Sequence, residues 1–151
     1  MKRGKAIQPR PYHPVNSRQG LIRELDRLVS LIVRKRDDGC ICCGSKESLE
    51  CGHFYKRRYH STRWSLVNCN AQTHRCNGRH NVDPFPYMRA MQERYGADAV
   101  VGLLKLRDSG KLYTHAELVE LRDELRRMLP LSQAELKWIT VEQANKLAEA
   151  A

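Results

Sequence analysis

Residues 40–60, CICCGSKESLECGHFYKRRYH, hold four of the chain's six cysteines, two histidines and several basic side chains. The first chemistry these types allow is metal binding. Cys40 and Cys43 form a C-x2-C pair followed by Gly44. That spacing turns two thiolates toward one cation, and the glycine lets the chain reverse sharply. A redox pair would instead open a helix inside a βαβ pattern, which the surrounding sequence lacks. Zinc also needs ligands from a second segment, and NCNAQTHRCN offers Cys69, His74 and Cys76. The expected ligand set is Cys40, Cys43 and Cys76, with either His74 or Cys69 as the fourth. Cys42 is expected to point away from the metal, and Cys51 to be a small buried neighbour. A closed four-ligand zinc braces structure, so any bond-breaking must come from other residues.

Charge points to the partner. The chain has 151 residues, 41% hydrophobic and 29% charged, with formal net charge +10. Residues 1–36 carry ten Lys/Arg against Glu24 and Asp26, and residues 51–82 carry six Lys/Arg and no acid. From Lys111 onward seven acids meet six bases. A basic front half with a near-neutral tail fits a polyanion, most simply nucleic acid. No run reaches the ~20 apolar residues that span a bilayer, and the basic N-terminus lacks a secretory apolar core. The expectation is a cytoplasmic protein with no membrane partner, in a reducing compartment where clustered cysteines favour metal over disulfides.

The elements that must hold these residues are mostly helical. Residues 1–16, with Pro9, Pro11 and Pro14 among basic side chains, read as a flexible basic arm. From Ser17 the apolar positions Leu21, Ile22, Leu25, Leu28, Val29 and Ile32 fall on one helical face. That helix ends in RKRDDG and feeds directly into Cys40. Residues 40–81 lack a helical period and read as a short β-hairpin closing on a short helix. Further helices follow from Asp83-Pro84 and through ADAVVGLLKLRDSG to Gly110. Thr114 with Glu117 and Ser132 with Glu135 form two capping boxes, each opening one more helix. The stripe Leu118, Leu121, Leu125 and Met128 suits packing against the core or a second copy. The division expected is a basic arm (1–16), a zinc-braced domain with flanking helices (17–110) and a helical C-terminal extension (111–151).

The order C-x2-C, Gly52-His53, Asn68, Cys76-Asn77 is the layout of His-Me finger (HNH-like, ββα-metal) nucleases. More narrowly, RLVSLIVRKRDDGCICCG, CGHFYKRRYHSTRW, NCNAQ, RCN and YGADAV together resemble the NinG (Rap) family of phage recombination endonucleases, over roughly residues 20–105. The resemblance implies an α+β fold with a small zinc-braced ββα-metal core, an N-terminal helix and a helical C-terminal half. It implies metal-dependent cutting of branched DNA, such as Holliday junctions and D-loops, in a bacterial host's cytoplasm. It also implies residue roles: His53 as general base, Asn68 as the side chain tying the hairpin together, and Asn77 as a ligand of the catalytic divalent metal. The second protein ligand of that metal is left unassigned, with His80 and Asp83 as candidates.

The residue types suit that chemistry. A neutral imidazole takes a proton from water near neutral pH. Mg2+ or Mn2+ needs few protein oxygens to act on a phosphate. Lys56, Arg57, Arg58, His60 and Arg63 are candidate phosphate contacts. Tyr55, Tyr59 and Trp64 are candidates either for stacking on unpaired bases or for packing a small core. His53 has its own alternatives, as a zinc ligand or a buried hydrogen-bonded histidine. The expectation is a divalent-metal-dependent, structure-selective endodeoxyribonuclease with a structural Zn2+, with a homodimer possible through the C-terminal helices. The alternatives are a non-catalytic zinc-finger-like DNA-binding module and an RNA-binding or RNA-cutting factor.

Overall fold

A computed structural model describes residues 13–151. The basic arm expected over residues 1–16 therefore lies, for residues 1–12, outside the described part. Ser17 starts the first helix: its hydroxyl accepts from the Gly20 amide at 3.0 Å, supplying one of the bonds a helix N-terminus lacks. Helix α1 then runs Arg18–Arg36. Leu21, Leu25, Leu28 and Ile32 recur at helical spacing and are fully buried, each contributing about 1.5–3 kcal/mol relative to exposure.

The last turn of α1 carries the cations Arg34, Lys35 and Arg36, and the last of them is taken into the interior. Arg36 is buried and makes a two-pronged bond to Asp37 at 2.8 and 3.0 Å. It also donates to the carbonyls of Leu66 (2.7 Å) and Cys69 (2.9 Å). Asp37 in turn accepts from the Ala71 amide at 2.7 Å. Buried charges persist only when paired and hydrogen-bonded, and here that pairing fastens the end of α1 to the second strand.

Strands β1 (Leu49–His53) and β2 (Cys69–Thr73) form an antiparallel pair with His53 opposite Cys69 and Gly52 opposite Asn70. The long connection between them contains the short helix α2, His60–Arg63. Helix α3, His74–Arg79, follows β2 directly, capped by the Thr73 side chain. The fold is thus mixed: a small two-stranded sheet within a mainly helical chain. Helices α4 (Phe85–Tyr95) and α5 (Ala97–Asp108) meet at Gly96, whose φ of 88° suits a residue without Cβ. Both expected capping boxes are present, opening α6 (His115–Met128) and α7 (Gln133–Glu149).

The C-terminal helices complete the core begun by α1. Leu118, Leu125 and Met128 are buried in the same cluster as the α1 leucines, so the stripe offered for a second copy is covered by the chain itself. Trp64, Leu66 and Leu136 join that cluster. A second cluster joins Phe54 and Val67 with Tyr87, Met91, Leu103 and Ala144. Helices α5 and α7 cross so closely at Gly102 that an added Cβ would lie 1.9 Å from the Leu147 carbonyl oxygen. Among the described residues no helix is long and apolar enough to cross a membrane.

Candidate active site and metal centre

The cysteine cluster is built by two parts of the chain, the knuckle turn and α3. Gly44, with φ of 74°, folds the knuckle so that its amide bonds the Cys40 carbonyl at 2.8 Å. The turn brings Cys40 and Cys43 together, and α3 delivers Cys76. The three sulfur atoms lie within 4.8 Å of one another. Burial pushes the Cys40 thiol up, but backbone amides of Thr73, Cys43 and Cys42 more than offset it and bring it down to about 7. Three converging sulfurs, one favoured as thiolate by N–H donors, form a donor set that suits zinc.

Neither candidate for the fourth zinc position shares this cluster. The His74 side chain is 91% exposed and turns to Glu50, with Nδ1 3.5 Å from the carboxylate. It lies two residues before Cys76 on α3, a spacing that puts the two on different faces of the helix. Cys69 is fully buried and groups instead with Cys51 and His53, again within 4.8 Å. Burial, then Cys51, keeps the Cys69 thiol well above its ordinary value, and its Sγ donates to the Arg63 carbonyl at 3.4 Å. This second group has metal-ligand types, yet Cys69 is held as a thiol. Cys42 accepts from Gln72 Nε2 at 3.3 Å, and burial raises its thiol to about 11.

On the neighbouring face lies a cleft of about 310 Å³ lined by Glu50, Cys51, His53, Lys56, Arg57, His74, Asn77, Gly78 and Asn81. His53 ends β1, and its Nε2 is 3.0 Å from the Arg63 carbonyl. A carbonyl only accepts, so Nε2 carries the hydrogen and Nδ1 is left with a lone pair. Burial, reinforced by the nearby Arg57 charge, lowers its pKa to about 4. The imidazole is therefore neutral at pH 7. Asn77 lies across the cleft and donates from Nδ2 to Glu50 Oε1 at 2.7 Å. Asn68 is fully buried, and its amide makes both bonds to Tyr55, accepting from N at 2.8 Å and donating to O at 3.0 Å. That pair closes the wide loop between the strands directly beyond His53.

The basic residues divide. Lys56 and Arg57 line the cleft, with Lys56 Nζ bonded to Asn81 Oδ1. Arg58 is exposed, lying on the Tyr59 ring at 4.9 Å. Arg63, a candidate phosphate contact, is instead bound to Asp26 through two bonds of 2.9 and 2.7 Å. Trp64, a candidate for base stacking, is 4% exposed and donates to the same carboxylate at 2.9 Å. His60 lies against the Trp64 ring at 5.7 Å. Tyr55 and Tyr59 both face the Arg107 guanidinium, at 4.7 and 5.5 Å.

Two residues held open for the catalytic metal lie away from the cleft lining. Asp83 pairs with Arg79 at 2.9 Å and accepts from the Phe85 amide at 3.2 Å. His80 turns to the Phe54 carbonyl at 2.8 Å. The carboxylate that does line the cleft is Glu50, which is not among the site residues expected from the sequence. It lies three residues before His53, an odd spacing that strand alternation assigns to opposite faces. Its signal was its place at the edge of the acid-free stretch, which begins at the next residue.

The fold and site together define a small α+β protein in which a hairpin and short helix carry a three-sulfur cluster beside an imidazole cleft. Residues 2–135 match the family described as bacteriophage lambda NinG protein, and the chain belongs to that family. No curated protein and no solved structure matches it.

Proposed function

We propose that this chain is a divalent-cation-dependent endonuclease that hydrolyses phosphodiester bonds in branched DNA during phage or prophage recombination. The observation that carries the reading is His53: a neutral imidazole, oriented by one backbone bond, with its second nitrogen free in a basic cleft that also holds a carboxylate and a carboxamide. In this reading β1, β2 and α3 form a His-Me finger (HNH-like, ββα-metal) unit.

The chain's own residues divide the work. His53 Nδ1 takes the proton of a water as its oxygen attacks phosphorus, the bond to the 3′ oxygen breaks, and that oxygen leaves as a hydroxyl with a proton from solvent water. The Arg63 carbonyl fixes the tautomer and the ring orientation, and Asn68 holds the loop that follows. Lys56, Arg57 and Arg58 hold phosphates without reading sequence. Glu50 and Asn77 fit an oxygen-loving cation, since a carboxylate and a carboxamide oxygen are donors that Mg2+ or Mn2+ accepts alongside water. When bound, that cation supplies neutralisation of the charge developing on the phosphate. Cys40, Cys43 and Cys76 would hold a structural zinc that fixes α3, and with it Asn77, against the knuckle.

The test is cleavage of branched and linear duplex DNA, with RNA alongside, in Mg2+ or Mn2+. Wild type is compared with His53→Ala and Glu50→Gln. Cuts near the branch are expected in wild type, lost in His53→Ala and strongly reduced in Glu50→Gln. Tight binding without cutting by wild type in either metal would overturn the proposal in favour of a zinc-braced binding module. Cutting confined to RNA would overturn its substrate.

A further inference from the structure

A zinc held by three cysteines lacks the fourth protein ligand of a closed structural site. The nearby donors are mostly committed elsewhere. The Thr73 hydroxyl accepts from the Cys76 amide at 3.2 Å as the cap of α3. His74 faces Glu50, and Cys42 Sγ accepts from Gln72. Cys69 belongs to the group with Cys51 and His53.

His80 differs from all of these. It follows Cys76 by four residues, and its amide bonds the Cys76 carbonyl at 3.1 Å, so the two lie one helical turn apart on the same face. Its ring lines a small cavity of about 90 Å³ together with Cys42, Cys43 and Cys76. Phe54 and Tyr87 pack on the ring at 5.6 and 4.9 Å. Nε2 lies 2.8 Å from the Phe54 carbonyl, so it carries the hydrogen and Nδ1 has the bare lone pair. That Nδ1 is buried and has no hydrogen-bond partner. An imidazole that gives one N–H to a backbone carbonyl and presents its other nitrogen unpaired has the habit of a metal ligand.

We propose that His80, through Nδ1, is the fourth ligand of the zinc held by Cys40, Cys43 and Cys76. The set reads C-x2-C followed by C-x3-H, a spacing of the zinc-finger kind. The inference rests on the structural zinc proposed above. Nδ1 does not share the 4.8 Å grouping of the three sulfurs. Tetrahedral ligands at a Zn–S distance of about 2.3 Å lie roughly 3.8 Å apart, so the ring closes on the ion as it binds. The zinc then ties the middle of α3, through Cys76, and its C-terminal cap, through His80, to the knuckle. Through the Phe54 carbonyl it also steadies the residue directly after His53.

The full chain, depleted of metal and titrated with Co2+ and then Zn2+, provides the test. Wild type is expected to show thiolate-to-cobalt charge transfer and intense tetrahedral visible bands at one equivalent. His80→Ala is expected to lose zinc affinity by at least about 100-fold, since even the groups that support metal ligands cost up to that when removed, and to lose tetrahedral band intensity. His80→Cys is expected to restore tetrahedral intensity with the bands moved toward an all-sulfur site. Should His80→Ala fail to fold, the nitrogen-15 shift of His80 Nδ1 in zinc-loaded wild type decides. An Nδ1 resonance that moves on zinc addition supports ligation, and one that stays put overturns it. A His80→Ala spectrum and affinity equal to wild type, with Cys42→Ser altered instead, overturns His80 while leaving the zinc intact. Absence of charge transfer in wild type overturns the zinc itself.

Discussion

The titration of His53 tests the site without presuming any activity. In the folded chain its pKa is lowered from 6.5 to about 4, by burial first and by the Arg57 charge second. Between those two values the unfolded chain binds the proton more readily, so stability is full above pH 6.5 and falls as pH drops toward 4. Integrating that difference gives a loss of about 2 kcal/mol by roughly pH 5 and about 3 kcal/mol in the acid limit. Other imidazoles and the cysteine thiols also respond to acid, so the His53 share is isolated by difference. Urea unfolding of wild type and His53→Gln, each at pH 7.5 and pH 5, is expected to show wild type losing about 2 kcal/mol more than the variant on acidification. Following the His53 ring carbons by NMR in wild type reads the same quantity directly. A midpoint near the unperturbed value of about 6.5, or equal acid losses in the two proteins, would refute the burial argument. It would also remove the reason for expecting a neutral imidazole at every pH where the proposed chemistry runs.

Three further outcomes test the scaffold and the surface. Asn68→Ala should cost about 2–4 kcal/mol in urea unfolding, because both bonds to Tyr55 vanish and two backbone groups lose their partner. A loss below half a kilocalorie would show that the clamp is dispensable. Gly102→Ala should cost about 1–3 kcal/mol, because its Cβ meets backbone rather than a yielding side-chain tip. A thermal midpoint equal to wild type would contradict the close crossing of α5 and α7. If the basic rim holds phosphates, Arg57→Gln with Arg58→Gln should flatten the salt dependence of DNA binding by roughly 0.9 in log–log slope per contact removed. An unchanged slope would place the binding surface elsewhere.

What could be read from the sequence follows how local each feature is. The α1 leucines, the two capping boxes and the knuckle with Gly44 each depend on neighbours within a turn or two, and the sequence displays them directly. Cys76 was recoverable because zinc demands a second segment and few cysteines remain. The fates of Arg36, Arg63 and Trp64 were not. Each is decided by groups distant in the chain: the Leu66 and Cys69 carbonyls receive Arg36, and Asp26 in α1 takes both Arg63 and Trp64. A basic residue in a basic stretch looks like a phosphate contact until the carboxylate that claims it is located. Glu50 was hidden for a different reason: strand alternation separates it from His53, while the cleft collects both.

The pairing of Asp26 with Arg63 also explains why a helix outside the hairpin matters to the site. An ion pair of this kind contributes little to stability once desolvation is counted. Its effect here is positional. Two bonds to the Arg63 guanidinium and one to Trp64 pin the end of α2 against α1, and that leaves the Arg63 carbonyl aimed at His53 Nε2. The tautomer of the imidazole is thus set by a carbonyl whose place is set by α1. Arg36 and Asp37, at the far end of the same helix, fasten β2 through the Cys69 carbonyl and the Ala71 amide. One helix therefore holds both strands, the first through Arg63 and His53 and the second by direct bonds. The β1 wall of the cleft is thus placed from α1, by bonds that run through Asp26 and Arg63 to His53.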